Sequence, residues 1–430
     1  MKSNKSTISI QKDFSKMWKP VSAAVLAGAM FFTSCSKDDN GGGTNNPPKK
    51  DSTSVSGTVS GTWKKNSVVI VKGHLEIPSG SSLTIEEGVQ VLMSDSTIKP
   101  EFIIKGNLYS IGTATNPVKI SVPDAWKTTA NAWGALWGGL TAGASCAEIV
   151  LNYTDLSYGG AVTTESSPSV KGGLYKAAAG EHVPALYFPN INGKLVVTNS
   201  TIHNFNEDAL YIEGGSVIID NNKFYTTGIE NGEAVNLKSG VIADVAYNLI
   251  YSPNTNGMKL SNSGDRTPQL YIVGYNNTIV NAGWRRPTTK GGSIWVEKSA
   301  HVDIYNNLLV NDRYGVKRDK GNPEDSRSKF FNTYYYSYTQ TGADQFQPTA
   351  EIIAGTGDVI SAKAGDNDPK FVNYPLSNDN ANGIFDTNWD FHLQSGSNAL
   401  GKGKQILQEI LQMVLLPAAL LTNQQIRQHT

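Results

Sequence analysis

From about Ser56 to Gly403 the chain alternates apolar and polar residues in short runs, broken by Gly, Asn, Asp and Ser. A period of two predicts strands with one buried face, and no long helical period intervenes before residue 404. The runs also recur. "ALYF" (185–188), "ALYI" (209–212), "AVNL" (234–237), "GMKL" (257–260), "SIWV" (293–296) and "GVKR" (315–318) start 24, 25, 23, 36 and 22 residues apart. A parallel frame holds "STI" (200–202), "NKF" (222–224), "NLI" (248–250), "NTI" (277–279) and "NLL" (307–309), with asparagines crowding the turn before it. Equal-length coils of a stacked parallel sheet require such a spacing, and asparagines at a repeated turn can hydrogen-bond from coil to coil. Leucine-rich repeats want a helical segment and propellers want longer blades, while a β-sandwich gives no reason for constant spacing.

Alternate side chains of a strand share a face. If Leu186, Phe188, Leu210, Ile212, Val235, Leu237, Met258, Leu260, Ile294 and Val296 point inward, three columns face outward. The first is small: Ala185, Ala209, Ala234, Gly257, Ser293 and Gly315. The second is Tyr187, Tyr211, Asn236, Lys259, Trp295 and Lys317, and the third Pro189, Glu213, Lys238, Ser261, Glu297 and Asp319. Two aromatic rings followed by a polar, lysine-bearing stretch beside a small-residue floor suit an extended glycan, because sugar rings stack on aromatics and lysines meet carboxylates. The bland reading is an ordinary wet sheet face, where exposed Tyr and Lys shield their neighbours. The 36-residue step inserts "NAGWRRPTTKGG" (281–292), whose Arg285 and Arg286 stand to overhang the strip and grip an anionic sugar, unless they are merely solvated.

The termini depart from this pattern. Lys2, Lys5, Lys12, Lys16 and Lys19 precede the apolar run "VSAAVLAGAMFF" and then "TSC", the pattern of a removable leader over residues 1–34 whose apolar run is short for a membrane span. Cys35 would become the N-terminal residue, free to carry acyl chains as a membrane anchor. Residues 35–55 have the composition of a flexible tether. Without the five lysines and one aspartate of the leader, 32 basic and 36 acidic residues remain, which argues against a general nucleic-acid binder. The remaining thiol, Cys146, leaves no internal disulfide. Residues 404–430 contain neither Gly nor Asp; they read either as a helix capping the open end of the stack or as residues that do not follow from the repeat.

The six histidines show no metal-ligand spacing, and no phosphate-cradling or dinucleotide fingerprint appears. Three resemblances add to this reading. The repeat, with "LEIPSGSSLTIEEGVQVLM" (75–93) and "DFHLQSGSNALGKG" (390–403), resembles right-handed parallel β-helix proteins of the pectate-lyase-like group, implying an all-β, single-stranded right-handed parallel β-helix over residues 56–403. "CSKDDN" resembles the start of Bacteroidetes surface lipoproteins, implying an anchor on the outer face of the outer membrane; separately, a monomer is expected. "NGEAVNLKS" is similar to a stretch of β-helix lyases of the chondroitinase-B and alginate-lyase family. That likeness implies Lys238 as the base that removes the C5 proton of a uronate. It puts Lys259 where an Arg helps protonate the leaving oxygen, and Glu233 as ligand of a calcium ion. The alternative is a non-catalytic adhesin or structural surface protein, since this fold carries many functions.

Overall fold

The computed structural model describes residues 51–404 apart from 177, 288, 289 and 378–381, so the leader, Cys35 and residues 405–430 lie outside the described residues. Within them the recurring runs form three stacks of short parallel strands. The first contains Phe102–Ile104, Leu140–Ala142, Leu186–Phe188, Leu210–Ile212, Val235–Leu237, Asn256–Ser261, Gly292–Glu297 and Val316–Arg318, each paired in parallel with its counterpart on the next coil. The second runs from Gly61–Trp63 to Lys329–Phe331, and the third from Gln90–Met93 to Tyr334–Tyr336. Each coil visits the three in turn, so the fold is a parallel β-helix. Strand pairing begins at Ser52, where Ser52–Thr58 pairs with Val68–Ile77, inside the stretch read as tether. Among the described residues helix is confined to Pro168–Lys171, Gln340–Gln345 and two short 3-10 turns.

All ten residues expected to point inward on the first stack lie in one hydrophobic core. The small-residue column does not form a groove floor: Ala185, Ala209 and Ala234 belong to that same core. A β-carbon on Gly257 would meet the Ser293 carbonyl at 2.7 Å. Strict alternation holds only within these strands, most of them three residues long, and the bend before each turns the preceding small residue inward.

Asparagines fix the corner between the second and third stacks. Asn221, Tyr247, Asn276 and Asn306 take positive φ of 53–56°, a region that Asn tolerates better than most residues. The next residue of each pair turns its amide inside. Asn222 Nδ2 donates to Asn248 Oδ1 (3.0 Å), Asn248 Nδ2 to Asn277 Oδ1 (2.9 Å) and Asn277 Nδ2 to Asn307 Oδ1 (3.0 Å). The expected ladder is therefore present.

The segment 366–404 lies along the outside of the third stack. Phe371–Asn373 pairs antiparallel with Asp390–Leu393, and Phe371, Tyr374, Trp389 and Phe391 pack on Tyr251, Val280, Val310 and Tyr336. That covers the third face and leaves the first face carrying the lysines.

Candidate functional site

The second outward column is aligned in the order read from the repeat. Tyr187 pairs in register with Tyr211, Tyr211 with Asn236, Asn236 with Lys259, Lys259 with Trp295 and Trp295 with Lys317. Neighbours in the row are therefore separated by about 4.8 Å, the spacing of paired strands. The residues differ in what they offer. Tyr187 is not an open stacking platform. Tyr175, from the long turn 158–185, packs edge-on against Tyr187 at 5.4 Å and Tyr211 at 5.2 Å. Tyr187 Oη donates to Glu213 Oε2 (2.7 Å), which Arg266 also engages at 2.8 Å. Trp295 is half-buried and donates from Nε1 to Glu297 Oε2 (2.8 Å). Lys317 lies 4.1 Å from the Tyr314 ring centroid and 3.4 Å from Glu351 Oε2.

The chemistry concentrates around Asn236. Asp208 and Glu233 occupy the same offset, one residue before Ala209 and Ala234, so adjacent coils stack them at the edge of the first face. The Glu233 backbone N–H donates to Asp208 Oδ1 (2.7 Å) and Asn236 Nδ2 to Asp208 Oδ2 (2.8 Å). Asn236 Oδ1 and Tyr175 Oη are buried without a hydrogen-bond partner. Asn256 Nδ2 donates to Glu233 Oε1 (3.3 Å), and Lys259 Nζ stands 3.9 Å from that oxygen. The Asp208 and Glu233 carboxyls also hydrogen-bond each other.

Two carboxyls so placed do not both ionise readily. Burial, and then the Glu233 charge, push Asp208 well above the usual carboxylate range. Burial also opposes ionisation of Glu233, but Lys259 and the Asp208 hydrogen bond outweigh it and hold Glu233 below its ordinary value. Lys238, buried with Nζ 5.5 Å from the Tyr211 ring centroid, is lowered from the ordinary lysine value by burial and then by the charge of Lys259. Burial pushes Glu207 up to about 7 against the attraction of Lys176.

That last shift has a measurable consequence. The folded protein holds the Glu207 proton more tightly than the unfolded chain, so Glu207 favours folding most below its ordinary 4.5 and loses that contribution as pH rises to about 7. Glu207→Gln is expected to flatten the fall in melting temperature across this interval, as followed by circular dichroism.

Calcium does not fit Glu233. Its carboxylate faces the Lys259 ammonium and shares a hydrogen bond with Asp208, and among the described residues no group of three or more His, Cys, Asp or Glu is arranged to hold a metal ion. The positive charge beside Glu233 is the protein's own.

Arg285 and Arg286 bond mainly to backbone carbonyls of neighbouring coils. Arg285 stacks 4.3 Å from the Trp133 ring centroid and donates to the carbonyls of Thr227 (2.7 Å), Gly228 (2.8 Å) and Ser252 (2.8 Å). Arg286 bonds the Glu230 carbonyl and Asn231 Oδ1. Both stitch coil corners. Glu207, Asp208 and Tyr175 escaped the sequence reading. Asp208 left a signal in its shared offset with Glu233, whereas Tyr175 sits in a turn with no repeat to index it.

No protein-family model, no curated protein and no solved structure matches this chain.

Proposed function

We propose that the first face binds an extended anionic polysaccharide and cleaves it by β-elimination. The supporting observation is Lys238: a buried amine beside a second cation, on a register-aligned row of Tyr211, Asn236, Lys259, Trp295 and Lys317. A lysine with lowered proton affinity gives up its proton more readily and is better suited to act as a general base. Lys238 Nζ takes the C5 proton of a uronate and the C5 electron pair becomes the C4–C5 double bond. The C4–O bond breaks, and the leaving oxygen takes a proton from the Lys259 ammonium. Until then the Lys259 charge lies beside the uronate carboxylate and stabilises the electron density that develops there.

The basic leader, the apolar run and Cys35 support a place for this face on a lipid anchor at the outer surface of the outer membrane, acting as a monomer. The test is incubation of the purified protein with alginate, pectate and glycosaminoglycans. Growth of unsaturated-uronate absorbance on one of them is the expected result. Retention on a polyuronate column with no absorbance on any polymer leaves a non-catalytic glycan-binding surface protein, and loss of both removes the reading.

A further inference from the structure

The row of outward side chains does not begin at Tyr187. The register continues back from Tyr187 to Thr141 and Ile103 on the two preceding coils. These three are 6%, 0% and 2% exposed, whereas Tyr211, Lys259, Trp295 and Lys317 are partly open around a buried Asn236. At Tyr187 the row meets the turn 158–185, which is long where the equivalent turns at 206–209 and 252–255 are short.

This turn is built as a fixed wall. Glu101 Oε2, on the coil carrying Ile103, accepts from the Ser169 N–H (2.9 Å) at the start of Pro168–Lys171. Thr163 Oγ1 donates to the Ala178 carbonyl (2.8 Å), Val162 and His182 form an antiparallel bridge, and the His182 ring bonds the Gly160 carbonyl at 2.6 Å. Lys176 pairs with Glu181 at 2.8 Å. The wall ends in Tyr175, whose ring closes over Tyr187 and Tyr211. At the far end Ile352 bridges Lys317 and Glu351 holds its ammonium. The open stretch from Tyr211 to Lys317 is four coil steps, about 19 Å at the spacing of paired strands.

A polymer lying along the stack cannot pass through Tyr175. We propose that this protein engages the end of a polyuronate chain, with the terminal sugar against Tyr175 and Tyr211, beside Lys238 and the unpartnered Asn236 Oδ1. This rests on the polysaccharide-binding reading above and adds to it that the recognised ligand is a chain terminus.

The experiment is sedimentation of the full protein with size-fractionated polygalacturonate and alginate oligosaccharides of increasing length. End recognition predicts that the number of protein molecules bound per saccharide chain stays at one as the chain lengthens. A number rising in proportion to length overturns the inference and leaves the polysaccharide reading standing. No binding at any length overturns both. Tyr175→Ala, which removes the ring packed on Tyr187 and Tyr211, is expected to let the number bound per chain rise with length. An unchanged single copy per chain in that variant argues against Tyr175 as the stop.

Discussion

Lys238→Ala is expected to lower the rate of polyuronate elimination by about 10²- to 10⁴-fold, the usual contribution of a positioned general base. Lys238 lies on the outward side of its coil, two residues after Asn236, while Val235 and Leu237 point into the core. The variant should therefore keep its circular dichroism and melting temperature. Lys238→Arg retains the charge and holds its proton at any working pH, so it is expected to be as inactive as the alanine variant. The pH profile separates the base from its neighbour. Because burial and the Lys259 charge lower the Lys238 pKa, the rising limb of activity should lie below the ordinary lysine value of 10.5. Lys259→Ala removes that neighbouring charge, so the limb should move to higher pH. Unaltered turnover in Lys238→Ala would remove this residue from the mechanism.

The largest effect on stability is expected from Asn248→Ala. Asn248 Oδ1 accepts from both the backbone N–H and Nδ2 of Asn222 at 3.0 Å. Its Nδ2 donates at 2.9 Å to the Ile219 carbonyl and to Asn277 Oδ1. Truncation leaves the buried Asn222 backbone N–H unpaired, takes a donor from the Ile219 carbonyl, and removes one of the two bonds made by each of Asn222 Nδ2 and Asn277 Oδ1, in a corner closed to water. At about 1–3 kcal/mol for each buried group left unsatisfied, a loss of about 3–5 kcal/mol follows after partial relaxation. Urea denaturation measures it as a lower midpoint at an unchanged slope. Asn248→Asp keeps the acceptor while losing the donor, so it should fall between the wild type and the alanine variant. A loss below about 1 kcal/mol would mean that the corner tolerates an unpaired rung.

The architecture was legible because a coil repeats its own chemistry. Offsets between "ALYI", "AVNL" and "GMKL" predict Tyr211 over Asn236 over Lys259, and the paired register has that order. The asparagine frame was legible for the same reason: a corner needing positive φ followed by an inward amide leaves "NN" or "YN" at four successive passes, 221–222, 247–248, 276–277 and 306–307. What the repeat did not index was lost. The turn 158–185 and the strap 366–404 occur once each, so nothing in the chain says which face they cover. Ala185, Ala209 and Ala234 were misplaced because alternation was extended past the end of a three-residue strand. Arg285 read as a free cation, but sharp coil corners leave backbone carbonyls that need donors, and it satisfies three of them. Asp208 stands at the same offset as Glu233, and its importance emerges only when both are seen to be buried together.

Calorimetric titration of a short polyuronate oligosaccharide into the wild type and into Lys238→Ala/Lys259→Ala/Lys317→Ala tests the aligned row most directly. The account predicts saturable, salt-sensitive binding to the wild type that is lost in the folded triple variant. Equal affinity in the two proteins would contradict it.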